Sequence, residues 1–290
     1  MNHLCKEFVM PIRIIVDSTA DLRPEIAAKV DVVPLSVFFG EQEYISGVTI
    51  TPQQFYEKLV ESDTLPTTSQ PAPYRFAEAF EKAVSEGCQV ICLTCSGKLS
   101  GTYQSANIAA AEFEGKVHVL DSNTIAIGLG ILVEYALELA DRGLCAEDIL
   151  WKLMQKRERI RILALVDTLE YLKKGGRISP TVALAGGLLN IKPVISVNNG
   201  EIQVVGKARG SRQGNNLLVQ EIQKAGGVDF AKPVMLGYTG FSDILLQKYI
   251  QDSAALWEDH REHLPVSVVS SVVGTHVGPG AVAVAFFAAE

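Results

Sequence analysis

Apolar residues fall into two rhythms along this chain. Short, largely apolar runs at residues 12–17, 31–39, 89–94 and 117–121 read as strands buried on both faces, the kind found in parallel sheets. Between them, apolar residues recur at spacings of three and four, which reads as helix. One helix opens at Thr51, a hydroxyl N-cap followed by Pro52 at the first helical position, and runs to about Glu61. Another places Phe76, Ala79, Phe80 and Ala83 on one face and stops at Gly87. Further helices are predicted over 103–112, over 125–142 with Gly143 as the stop, and over 146–159. Strand and helix in alternation predict an α/β domain built on a parallel, Rossmann-like sheet.

From about Ile162 the pattern changes. Strands at 192–198 and 201–206 flank Asn198–Asn199–Gly200, the best hairpin signal in the chain. Later strands are expected at 232–239, 266–270 and 281–288, with helices at about 213–225 and 242–257. Antiparallel strands with interspersed helices predict a second, α+β domain. The division is expected near residue 165, giving an N-terminal domain over 10–165 and a C-terminal domain over 166–290. Residues 64–71, and the glycine-rich stretch 274–280, read as loops by composition.

Composition narrows the function. With 290 residues, 48% apolar and 20% charged, the chain can bury two cores. A net charge of −7 argues against nucleic-acid binding, and the basic patch of Lys207, Arg209 and Arg212 is too small to reverse it. Aromatic residues at 7% are too sparse for a platform that stacks bases. No apolar run approaches the roughly 18 residues of a membrane span, and the first ten residues lack a secretory core, so a cytoplasmic location is expected.

Cys88, Cys92 and Cys95 have a spacing seen in cluster-binding enzymes, but strand alternation sends Cys92 and Cys95 to opposite faces, where each is expected to act as a small hydrophobe. His260 and His263 sit in an acidic, solvated stretch without the spacing of a zinc helix. Neither a metal nor a cofactor is expected. Three loops carry more promise: Thr67–Thr68–Ser69–Gln70–Pro71, residues Ser96 to Thr102, and Gly274 to Gly280 with His276 inside it. The first two precede helices, whose free N–H groups suit an anion, and their hydroxyls add donors without charge. Neither a phosphate-binding P-loop nor a G-x-G-x-x-G turn is present, so a small carboxylate fits better than a triphosphate. Ser69 and Ser100 would serve equally well as plain helix caps. Arg177, behind Gly175–Gly176, has the chemistry to pair with a carboxylate or phosphate, or only to solvate its turn; Ser179–Pro180 reads as a cap and first helical residue.

Five segments together resemble the DegV family: Ile15–Val16–Asp17–Ser18–Thr19–Ala20–Asp21–Leu22, Thr67–Thr68–Ser69–Gln70–Pro71, Leu99–Ser100–Gly101–Thr102–Tyr103–Gln104–Ser105–Ala106, Gly175–Gly176–Arg177–Ile178–Ser179, and Gly274–Thr275–His276–Val277–Gly278–Pro279–Gly280. They stand in family order and cover nearly the whole chain from about residue 12. The resemblance implies a two-domain α/β protein that buries a long-chain fatty acid. It also implies that the chain is not itself an enzyme but the binding subunit of a bacterial fatty-acid kinase, whose partner phosphorylates the carboxylate for phospholipid synthesis. By that similarity Thr68 and Ser100 hold the carboxylate. Thr67, Ser96, Gly101 and His276 complete the polar network, His276 through water, and Arg177 serves the kinase encounter. One departure is Lys207–Ala208–Arg209–Gly210–Ser211–Arg212–Gln213, where relatives carry more lysines.

The energetics suit a binder, because a buried methylene contributes about 0.8 kcal/mol and a long acyl chain on the order of 10 kcal/mol gross. The apolar helices at 125–139 and 182–189 have the composition to line such a tunnel. The competing reading is a serine hydrolase with Ser100 or Ser69 as nucleophile and His276 as base. It lacks a G-x-S-x-G elbow and an acid to orient the histidine.

Overall fold

In the computed structural model of the chain, residues 10–179, 191–257, 260 and 263–289 are described. The expected helix start at Pro180, the apolar stretch 182–189, Cys5, and most of the acidic stretch around His260 lie outside them.

The first layer is a parallel sheet in the order β2–β1–β6–β7, formed by β1 (Ile12–Asp17), β2 (Asp31–Val33), β6 (Gln89–Thr94) and β7 (Val117–Asp121). Its central strands are apolar on both sides because both sides are covered. Ile14, Val16, Ile91 and Leu93 face one core, whereas Ile15, Val90 and Cys92 face another beneath α3 (Pro73–Ser85) and α4 (Thr102–Ala110). Cys95 belongs to the first core, so Cys92 and Cys95 do sit on opposite sides, both buried. Among the described residues no cluster of His, Cys, Asp or Glu is placed to hold a metal.

Helix α5 (Ala126–Asp141) is apolar nearly all round, which marks a helix covered on every side. It lies between the parallel sheet and a second, six-stranded sheet, and one core runs through all three. Its buried Glu134 is held by Arg23 through two bonds of 3.0 and 2.9 Å.

The second sheet is mixed, in the order β10–β9–β8–β13–β11–β12, from β8 (Ile160–Leu165), β9 (Ile191–Asn198), β10 (Glu201–Arg209), β11 (Met235–Tyr238), β12 (Val266–Val268) and β13 (Val282–Phe287). All its pairings are antiparallel except β11 with β12. The expected hairpin is present, with Asn199 and Gly200 at φ 49° and 79°, the left-handed pair a two-residue turn needs. The outer face is covered by α8 (Gly210–Lys224), α9 (Ile244–Asp252) and α10 (Ala254–Trp257) through Leu218, Ile222, Leu246, Tyr249 and Trp257. The single helix expected over 242–257 is therefore two. Ser253 breaks it by donating to the Tyr249 carbonyl (2.6 Å) and accepting from the Trp257 indole (2.9 Å).

Two further differences from expectation matter for the site. The periodicity does not predict β8, because its apolar run follows α6 (Ala146–Arg157) with no glycine or proline between them. Since β8 pairs with β9 and β13, the division expected near 165 falls at the end of a strand of the second sheet. The run 31–39 is also two strands. Pro34 has no N–H to continue a ladder, the Leu35 amide donates instead to Ser18 (2.9 Å), and the chain swings into a small third sheet. That sheet has the order β4–β3–β5, from β3 (Ser36–Phe39), β4 (Gln42–Ile45) and β5 (Thr67–Ser69), and is covered by α2 (Pro52–Glu61) with Phe55, Tyr56 and Leu59. The Thr51 cap closes a full capping box with Gln54. Among the described residues no helix is long and apolar enough to cross a membrane.

Candidate functional site

The parallel sheet fixes where a ligand can enter. Beyond β1 the chain goes to β2 on one side, while β6 lies on the other, so the connections at the carboxyl ends of β1 and β6 diverge and leave a crevice. Asp17, the buried last residue of β1, braces it. Its carboxylate accepts from the Cys95 amide (2.6 Å), the Thr19 amide (2.8 Å) and the Thr19 hydroxyl (2.6 Å). Burial pushes this carboxyl upward, and those hydrogen bonds oppose the shift.

The crevice continues into a narrow, largely apolar cavity between the sheet edge and the inner face of the second sheet. Its lining, apolar with a few polar groups, has the character of a site for a small apolar ligand. Its floor has room because small residues stand opposite one another: Ala164 on β8 pairs with Ala283 on β13, and Ala283 pairs with Gly237 on β11. Ile162, Ile195 and Val197 form one wall, and Val269, Val272 and Val273 another. The start of α5 contributes Ile125, Ala126 and Ile127.

Polar groups gather around one region of this lining. The Thr68 hydroxyl lies 2.9 Å from His276 Nε2. The ring packs against Gly175, where any side chain would collide with it. Arg177 donates to the Gly175 carbonyl (2.6 Å) and through Nε to the Leu99 carbonyl (3.2 Å), next to Ser100. The Ser100 hydroxyl is 2.8 Å from that of Thr102. Burial and the nearby Arg177 charge pull His276 down to about 4, so the ring is neutral at pH 7. Its Nδ1 is buried with no hydrogen-bond partner.

Of the residues singled out in the sequence, Thr68, Ser100, His276 and Arg177 line this cavity together. Thr67, Ser96 and Gly101 do not. Thr67 faces a separate outer cleft that shares Thr68, Arg177 and His276 with the cavity. Ser96 donates to the Gly200 carbonyl (2.8 Å) and so ties the β9–β10 hairpin tip to the loop after β6. Gly101 is bare because the Gln70 side chain lies where a Cβ would be, and Gln70 reaches on to Ser105 (3.0 Å), joining the first two loops. The glycine-rich stretch expected as a loop is a helix in its first half, α11 (Ser271–Val277). Gly274 serves close packing there, since a Cβ would stand 2.6 Å from the Tyr56 hydroxyl, and Gly278 at φ 74° ends the helix.

Thr19 and Cys95, not expected at the site, both line the cavity; each follows the end of a parallel strand, where ligands collect. Asp21, likewise not expected, is buried beside the start of α11, and its carboxylate accepts from the Ser270 amide (2.7 Å). Among the described residues a hydrolytic triad is not assembled: His276 Nε2 faces Thr68 rather than a serine, Ser69 donates to a backbone carbonyl, and no carboxylate reaches Nδ1.

The sequence matches the model of a family described as an uncharacterised protein, DegV family, over residues 11–289. The chain belongs to the DegV family. A DegV domain-containing protein of Deinococcus radiodurans is 37% identical over 282 residues, 95% of this chain and 98% of its own. Among solved structures, a DegV family protein from Thermus thermophilus, described for its fatty acid binding, superposes with a TM-score of 0.84 at 34% identity, covering 96% of this chain and 100% of that one. A stearic acid-binding protein from Eubacterium ventriosum gives a TM-score of 0.84 at 29% identity, over 94% and 97% of the two chains. The fatty acid kinase B3 protein of Streptococcus pneumoniae, loaded with linoleic acid, shares the fold at 24% identity, with a TM-score of 0.82 and 97% and 100% coverage. The DegV fold thus comprises the parallel-sheet α/β part and the mixed-sheet part described above.

Proposed function

We propose that this DegV protein binds one long-chain fatty acid in the cavity and presents its carboxylate to a partner fatty-acid kinase, taking no catalytic role itself. The observation that carries the reading is the apolar cavity whose Thr68, Ser100 and His276 gather near one another. The apolar walls suit the tail, each methylene contributing about 0.8 kcal/mol on burial. With the proton of His276 on Nε2, the ring donates to Thr68 and leaves the Thr68 proton free for a carboxylate oxygen; Ser100 supplies a second neutral donor. Arg177 at the edge of the cavity adds the charge that favours an anion. The fatty acids bound by the Thermus and Eubacterium proteins support the ligand class, and the kinase partner follows from the family resemblance.

The step served is a phosphoryl transfer. A carboxylate oxygen forms a bond to the terminal phosphorus of a nucleoside triphosphate held by the partner, and the bridging oxygen leaves with its electron pair on the diphosphate. Protein purified from a bacterial host and then denatured should release one fatty acid per chain, read by mass spectrometry. Protein that is consistently empty, and that takes up no added fatty acid, contradicts the reading.

A further inference from the structure

We propose that the cleft outside the Thr68–His276 pair binds the phosphoryl group of a long-chain acyl phosphate, a proposal that rests on the fatty-acid reading above. This cleft includes Thr67, Tyr171 and Lys174, and it shares Thr68, Arg177 and His276 with the lipid cavity. A group attached to a carboxyl held by Thr68 and His276 therefore emerges directly into it.

Its charge suits the cargo. Lys174 ends the short helix α7 (Glu170–Lys174), is exposed, and among the described residues pairs with no acid. Among the described residues, Arg177 is bonded only to backbone carbonyls, those of Leu99 and Gly175, and no Asp or Glu lines the cleft. Among them, therefore, two cations stand without a neutralising carboxylate beside a cavity whose other polar groups near Thr68 are neutral. A carboxylate needs no more than those neutral donors and Arg177. In the acyl phosphate the carboxylate's single charge is replaced by nearly two on the phosphoryl group, spread over three strong acceptors, for which a lysine at the rim is the missing partner.

A second cleft also reaches Arg177, beside Lys98, Lys173 and Glu201, but it is the poorer route. It contains none of Thr68, Ser100 and His276, so a group attached to a carboxyl held by Thr68 and His276 does not emerge into it. The geometry therefore places the phosphoryl group on the Lys174 side.

The test compares palmitic acid with the β-ketophosphonate analogue of its acyl phosphate, in which a methylene replaces the bridging oxygen and prevents hydrolysis. Affinities for both are measured on the full chain and on Lys174→Ala and Lys174→Arg. Lys174→Ala should weaken the phosphonate about tenfold, the loss of one charge-assisted hydrogen bond, and leave palmitic acid unchanged; Lys174→Arg should restore most of the loss. The inference is overturned if Lys174→Ala weakens both ligands alike or neither, or if the native chain binds palmitic acid but not the phosphonate. Failure of the native chain to bind palmitic acid would instead remove the fatty-acid reading itself.

Discussion

His276 and Asp21 are moved in opposite directions by the same cause. Burial disfavours the charged form of each, so His276 falls to about 4 while Asp21 rises to about 7 against the hydrogen bond it accepts from the Ser270 amide. In the proposed complex, neutral His276 donates from Nε2 to Thr68 and leaves the Thr68 proton for the carboxylate. Asp21 has a consequence for stability. From its ordinary value of 3.8 up to about 7, the folded chain keeps a proton that the unfolded chain has released. Its contribution is therefore complete at the acid end and is lost as pH rises through that window. Asp21→Asn keeps an acceptor for the Ser270 amide and cannot ionise. Its stability relative to the native chain should grow between pH 4 and pH 8 by up to about 4 kcal/mol in denaturant melts. A difference that stays flat with pH would show that Asp21 ionises normally in the fold. His276 shifts stability the other way over an overlapping range, but it is common to both proteins and cancels. At this scale the family resemblance, rather than local pattern, singled out Thr68, Ser100, Arg177 and His276, since the same hydroxyls could be plain caps and the same arginine a solvated turn residue; the structure brings the four to one cavity. Ser96 was expected in the same polar network; its actual tie, to the Gly200 carbonyl, was not legible because that group lies 104 residues away in sequence.

Elements bring these residues together, and the ones that escaped the sequence reading are those that hold the site. β5 reads as loop because Thr67–Thr68–Ser69 is polar, yet threonine suits a strand, and pairing with β3 aligns Thr68 opposite Val37. α11 reads as loop because glycine usually ends helices, yet Gly274 is there to let α11 approach Phe55 and Tyr56 of α2. Gly274→Ala would place a Cβ 2.6 Å from the Tyr56 hydroxyl and 2.8 Å from the Phe55 ring, so α11 must move away. We expect a stability loss of about 1–3 kcal/mol together with weaker fatty-acid binding, since α11 carries His276. Unchanged melting and unchanged affinity would mean that α11 is not held by this contact. By contrast β1, β6 and the β9–β10 hairpin were plain in the sequence, because buried parallel strands and an Asn–Gly turn have strong local signatures.

At the scale of the whole molecule, the two sheets share one core through α5, and the cavity lies where the carboxyl edge of the first meets the inner face of the second. No local pattern discloses that meeting. Ala164, Ala283 and Gly237 come from strands distant in sequence and form a trough only once β8, β13 and β11 are paired in register. In the proposed arrangement a fatty acid rests with its carboxyl between Thr68 and Ser100 and its tail over that trough. Palmitic acid labelled with carbon-13 at the carboxyl tests it most directly by NMR. One bound carboxyl resonance per chain is expected, distinct from free acid and displaced in both Thr68→Val and Ser100→Ala. A native chain with no bound resonance, or a resonance that both variants leave in place, would contradict it.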